Sequence, residues 1–187
     1  MVDVLDSMTE KPHSLRMDAL MDVETRESQL NELRAVDPAM MPLGHTLGFR
    51  TERVSAGEAM VVLPSGCHLN NLFGYMHGGA IFAIADTAIG LAYVASLDPG
   101  KTGTTVESKI NFLRPVLSGE LQAFARCVNQ GKSLSFYECD VRDDRDRLIA
   151  RVSATMMTLD DRRSGGRSQL YEPTPEVELS TAEGRNR

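Results

Sequence analysis

Paired cysteines are missing from this chain. Its 187 residues include three Cys. The number is odd and no Cys-x-x-Cys spacing occurs, which excludes a disulfide framework and reads as reduced thiols in a cytoplasmic protein. An excess of basic charge is missing as well. Lys and Arg number 20 against 26 Asp and Glu, a net charge of −6 at pH 7. With no Lys/Arg-rich run, the balance argues against a nucleic-acid binder. The opening residues, MVDVLDSMTEKPHS, carry acids where a signal or transit peptide has bases, and they contain no apolar h-region. The longest apolar stretch, Ala80 to Leu97, lacks basic flanks and has Asp86 near its middle. It therefore reads as a buried helix of a soluble protein, not as a membrane span. No Gly-x-Ser-x-Gly elbow is present, which argues against an α/β-hydrolase. Cys67, His68 and His77 match no common zinc spacing, so no metal is expected.

Apolar residues make up 42% of the chain and charged residues 25%, enough for one domain with a sizeable core. Residues 1–45 are polar with spaced Leu and Met, and the pattern predicts a helical N-terminal extension. Residues 46–160 form the core. Residues 161–187 are rich in Gly, Pro, Ser and charge, the composition of a disordered tail. Within the core, FRTERVSAGEAMVVLP reads as a hairpin-like pair or one bent strand. SGCHLNNLFG reads as a loop, and YMHGGAIFAIADTAIGLAYVAS, residues 75–96, as one long helix. Four strands follow: TTVESKINFLRPV, GELQAFARCVNQ, SLSFYECDVRD and RLIARVSATMMTL, joined by turn-like segments. In the last of them Leu148, Ala150, Val152, Ala154 and Met156 alternate with Arg151, Ser153, Thr155 and Met157, so one sheet face is apolar. Only the Ala-rich helix is apolar enough to cover that face. The expected architecture is α+β, an antiparallel sheet wrapped around one central helix in the order β-α-β-β-β-β.

Asp86 is the only formally charged residue between His77 and Asp98. Gly78 and Gly79 open the helix, where backbone N–H groups lack intrahelical partners and the dipole favours negative charge. The Gly78 N–H can serve as a donor to an oxyanion or a polarised carbonyl; equally, the glycine pair can serve only close packing against the sheet. Asp86 lies eight residues on, about 12 Å along the axis at 1.5 Å per residue. One side chain cannot span that gap, so a reaction that uses both groups needs two subunits with antiparallel helices, and each dimer then holds two sites. Phe82, Ala83, Ile89 and Gly90 neighbour Asp86 by one turn and Gly79 and Tyr93 by two, with small residues leaving room on that face. Burial among apolar groups would raise the Asp86 pKa; a buried acid satisfied by backbone donors is the competing reading.

The segment NLFGYMHGGAIFAIAD resembles the Asn-x-x-Gly-x-x-His-Gly-Gly…Asp pattern of hotdog-fold acyl-CoA thioesterases of the phenylacetate-degradation (PaaI-like) group. TTVESKINFLRPV and GKSLSFYECDVRDDRDRLIARVSATMM resemble the strand after the helix and the last hairpin of that family, so the likeness covers residues 45 to 160. The resemblance implies a hotdog fold and a role for each matching position. Asp86 matches the catalytic carboxylate, a general base or nucleophile. Gly78 matches the donor to the thioester carbonyl, and Asn71 a residue that orients that carbonyl or the water. Thr105 matches a Ser/Thr that positions the water, and His77 a holder of helix start and substrate. It also implies an acyl-CoA substrate, with coenzyme A as part of the substrate rather than a cofactor, and a homodimer that can pair into a dimer of dimers.

A thioester carbonyl is activated and its thiolate leaves readily, so one carboxylate and one preorganised donor suffice. Phe73, Tyr75, Gly79 and Phe82 are expected to line the acyl pocket, which would suit aryl or medium chains. Arg114, Arg126 and Lys132 are candidates for the coenzyme A phosphates, or else solvated strand charges. His77 as the base itself is the weaker alternative. Two classes stay open at this point: a thioesterase, and a hotdog module that binds acyl-CoA or hydrates it. Hydratases of the fold pair a His with an acid near a Pro, and residues 65 to 98 contain no Pro.

Overall fold

The computed structural model describes residues 27–28 and 41–160. A short helix, α1 (Pro42–Leu47), precedes a hairpin of β1 (Arg50–Ser55) and β2 (Glu58–Pro64). A 3-10 turn, Cys67–Leu69, leads to the long helix α2 (Gly78–Val94). Four strands complete the described chain: β3 (Lys101–Phe112), β4 (Glu120–Gln130), β5 (Leu134–Asp143) and β6 (Leu148–Asp160). The expected helical extension and C-terminal tail lie outside the described residues, apart from helical Glu27 and Ser28 and from α1. The order is β-β-α-β-β-β-β, and the segment open between hairpin and bent strand is a hairpin. Its turn closes at Gly57, whose φ of 81° lies in the left-handed region that glycine enters without strain.

All six strands form one antiparallel sheet in the order β1-β2-β4-β5-β6-β3. Register aligns the apolar positions: Val61 lies beside Ala123, Ala123 beside Val141 and Val141 beside Ala150. These residues are buried, as are Ala154 and Met156 further along β6, which is the alternation read from the sequence. From α2 the side chains of Ile81, Ile84, Ala85, Ala88 and Ala92 enter the same core. Alanines on both sides let the backbones approach closely, while each buried Ile or Leu contributes about 1.5–3 kcal/mol.

The helix is fastened to β3 at both ends. Near its C-terminus the Tyr93 ring lies against Gly103, where any Cβ would overlap it and the Met157 carbonyl. The Tyr93 hydroxyl shares a 2.8 Å hydrogen bond with Thr158 Oγ1, and its ring meets Tyr137 edge-on at 5.8 Å. At the N-terminus the Phe112 ring sits so close to Gly78 that a Cβ there would stand 3.0 Å from Phe112 Cζ. Between these points β3 bulges: Thr105 pairs with Met156 and Glu107 with Thr155, leaving Val106 as the extra residue. The bulge keeps Gly103 and Thr105 on the helix side before it and Ser108, Ile110 and Phe112 on that side after it.

Candidate active site

Helix α2 begins at Gly78, three residues later than the sequence pattern suggests, because residues 70–77 build a folded loop ahead of it. The Asn71 side-chain oxygen accepts the N–H groups of Phe73 at 2.9 Å and Tyr75 at 3.3 Å. The Asn71 N–H donates to the Tyr75 carbonyl at 2.7 Å, and Gly74 turns the chain with a φ of 80°. Two further bonds dock the loop, from the Met76 N–H to Val116 O (2.8 Å) and from the His77 N–H to Leu69 O (2.7 Å). Asn71 is thus anchored through its side-chain oxygen.

His77 caps the helix: its Nδ1 accepts the Gly79 N–H at 2.9 Å. A Cβ on Gly79 would meet that Nδ1 at 2.9 Å, and one on Gly78 would meet Phe112. At Gly79 a side chain would have to displace His77, whereas at Gly78 the Phe112 ring would have to give by a few tenths of an ångström. The same packing leaves the Gly78 N–H without a hydrogen-bond acceptor among the described residues. Packing and donation coexist at this position.

Asp86 departs from the expectation of a buried acid. Within one chain it is solvent-exposed, and it has no hydrogen bond or ion pair among the described residues. The sheet covers only part of α2 and leaves a face of Gly79, Ala83, Asp86, Thr87, Gly90 and Val94 uncovered or half-covered. A Cβ on Gly90 would meet nothing within 4 Å. Apolar groups on the inner side still remove hydration from the Asp86 carboxyl and hold its pKa above the ordinary carboxylate value.

The remaining candidates spread out. Phe73 is 83% exposed and Tyr75 37%, on the loop beside the helix start, while Phe82 is half-buried on α2. Arg114 follows Phe112 at the Gly78 end, where its guanidinium donates to the Leu148 carbonyl. Lys132 lies in the β4–β5 turn at the other end of the helix, next to Gln130, whose side chain donates to Ser96 O. The fold therefore does not bring Arg114 and Lys132 of one chain together. Arg126 is paired with Glu138 at 2.8 Å. Thr105 is exposed on the helix side of β3. Two residues not singled out from the sequence stand among these groups: Phe112 against Gly78, and Ser108 on β3. Alternation along β3 could not have placed Ser108, because the bulge at Val106 shifts the phase. Among the described residues no group of His, Cys, Asp or Glu could hold a metal ion, and no helix is long and apolar enough to cross a membrane.

A central helix against a six-stranded antiparallel sheet is the arrangement of the hotdog fold. Residues 73–150 match the thioesterase superfamily. The chain is 30% identical over 105 residues to acyl-coenzyme A thioesterase PaaI of Escherichia coli, covering 56% of this chain and 73% of that protein. It is 28% identical over 116 residues to 1,4-dihydroxy-2-naphthoyl-CoA hydrolase of Listeria monocytogenes, covering 62% and 94%. A solved thioesterase of Haemophilus influenzae superposes with a TM-score of 0.62 at 26% identity, covering 71% of this chain and 89% of that one. The chain belongs to the thioesterase superfamily, in its PaaI-like hotdog group, and is a thioester hydrolase.

Proposed function

We propose that the chain hydrolyses the thioester of a small aryl- or medium-chain acyl-coenzyme A at sites shared between two subunits. The observation that carries this is Asp86, an unpaired carboxylate on the uncovered face of α2, about 12 Å along the helix from the Gly78 N–H. Two α2 helices packed antiparallel on their uncovered faces bring Asp86 of one subunit to Gly78 of the other. The second edge of this surface is β3, a 12-residue strand that among the described residues pairs only with β6 and leaves one row of backbone groups unpaired. Val106, Phe112 and Leu113, each more than half exposed, add apolar area there. In the antiparallel pair, Lys132 of the partner subunit approaches the Arg114 end, where the two cations suit the coenzyme A phosphates.

In this site Asp86 takes a proton from water as the water oxygen bonds to the acyl carbon. The Gly78 N–H of the partner subunit donates to the carbonyl oxygen as negative charge builds there. Collapse breaks the C–S bond, and the coenzyme A thiolate leaves and takes up a proton, giving free acid and thiol. Asn71 orients the carbonyl or the water through its amide nitrogen, and His77 holds the donor by capping the helix. No cofactor is required. In a route where Asp86 itself attacks, water that opens the resulting anhydride at the Asp86 carbonyl places isotope label from the solvent in the Asp86 carboxyl in a single turnover; the general-base route leaves that carboxyl unlabelled. Free Cys67, Cys127 and Cys139 suit a reducing cytoplasm. The deciding experiment is thiol release from a panel of acyl-coenzyme A esters. Asp86→Ala is expected to lose at least about a hundredfold in turnover, and hydrolysis at the wild-type rate would overturn the mechanism.

A further inference from the structure

Ser108 is half-buried and its hydroxyl is shut off from solvent, yet it makes no hydrogen bond. Among the described residues Thr51 is the other such case, and it lies on β1 beside a bulge in the hairpin, at the opposite edge of the sheet from β3. Buried hydroxyls without partners cost stability, so their persistence asks for an explanation in function. Ser108 pairs with Ala154 and so points to the helix side of β3, in line with Ile110 and Phe112.

The two contacts that fasten α2 to β3 set the level of Ser108. Gly78 meets Phe112 and Tyr93 meets Gly103, a span of about 22 Å along the helix. Spreading the strand steps evenly over that span puts Ser108 about 10 Å and Thr105 about 17 Å from the Gly78 end, against about 12 Å for Asp86. Around the helix, Asp86 lies about 50° from the line that joins Gly78 to Tyr93, on the flank of the face turned to β3. Helix side chains also lean toward the N-terminus, which favours Ser108 over Thr105 again. Within one chain, the described residues of β3 and β6 bring no other titratable group to this point. The helix-side positions of β3 and β6 are Thr105, Ile110, Phe112, Val152, Ala154 and Met156, while Glu107 and Lys109 take the opposite side with Thr155 and Ser153.

We propose that Ser108 is the positioning residue of Asp86: its hydroxyl, turned by rotation about χ1, donates to the carboxylate and fixes the base for the water. This rests on the reading of Asp86 as the general base. A donor to the charged form also restrains the rise in the pKa of the base.

The test is steady-state hydrolysis of one acyl-coenzyme A ester by wild type, Ser108→Ala, Ser108→Thr and Asp86→Ala across pH, with thermal melts. Ser108→Ala is expected to lose at least about tenfold in kcat, the size of one hydrogen bond to a charged group, with KM unchanged. Its acid limb in kcat/KM is expected to move to higher pH, its Tm to hold, and Ser108→Thr to restore the wild-type limb. The inference is overturned if Ser108→Ala keeps the wild-type kcat and acid limb, or if it loses Tm and activity together with the limb unmoved. It is also overturned if Thr105→Val moves the limb and Ser108→Ala does not. The two ideas separate cleanly: full activity in Asp86→Ala sinks the base itself, whereas an inactive Asp86→Ala beside an unaffected Ser108→Ala sinks only the role of Ser108.

Discussion

Apolar neighbours on the inner side of α2 strip hydration from the Asp86 carboxyl, and desolvation penalises the charged form, so its pKa stands above the ordinary 3.8. In the proposed mechanism it works as a base only when ionised. The kcat/KM of hydrolysis is therefore expected to rise with pH through a midpoint above 3.8, and a limb at or below the ordinary carboxylate value would contradict the assignment. Stability runs the other way. A raised folded-state pKa stabilises the fold fully below the unfolded value, and that contribution is lost as pH rises through the folded one. Asp86→Asn removes the charge, so its Tm is expected to exceed that of wild type at pH 7, with the gap closing as the pH falls through the raised pKa. Asp140 behaves oppositely: hydrogen bonds from Arg151 at 2.7 and 3.0 Å hold its pKa below 3.8. Its contribution is present above 3.8 and lost as pH falls through the lowered value, so it does not mask the Asp86 effect near neutrality. At this scale the lone charge in an apolar run marks Asp86 as a candidate from sequence. Its exposure is not marked there, because which side of a helix a sheet leaves open depends on partners far along the chain.

Among the elements, β3 decides what the site looks like. Its composition marks a strand, though the first three residues, Lys101 to Gly103, fall outside the stretch that reads as one, since Gly103 reads as a breaker. The structure shows why a glycine is needed there: the Tyr93 ring occupies the place of its side chain. Gly103→Ala is expected to cost about 1–3 kcal/mol through overpacking against Tyr93 and the Met157 carbonyl, measured by urea unfolding. A neutral result would mean that the Tyr93 clamp is slack. The bulge at Val106 is likewise hidden, because an extra residue in an edge strand leaves no mark on composition. By contrast β6, flanked by strands on both sides, carries an alternation that its burial repeats from Ala150 to Met156, though Ile149 is buried as well and Leu148 only half-buried. Legibility thus follows constraint: the inner strand shows its pattern plainly, and the edge strand, half exposed, does not.

At the scale of the whole molecule, the shared site predicts complementation. Gly78→Pro deletes the proposed donor while suiting the local backbone. The first helical position tolerates proline, and His77 before it is already extended, with φ −64° and ψ 134°. The crowding falls on the far end of Phe112, a side chain 53% exposed that has to give by only a few tenths of an ångström. Homodimers of Gly78→Pro and of Asp86→Ala are each expected to be inactive. Mixed dimers, co-expressed with two affinity tags and purified through both, combine Asp86 from one subunit with Gly78 from the other at one of their two sites. Such dimers are expected to recover about half the wild-type turnover. If they remain as inactive as the parents while melting like wild type, donor and acid do not meet across the interface. A folded, active monomer in sedimentation would rule out that meeting as well. Recovery, on the other hand, would explain why a single chain leaves its acid in the open: the wall that completes the Asp86 site is the helix start of a second copy.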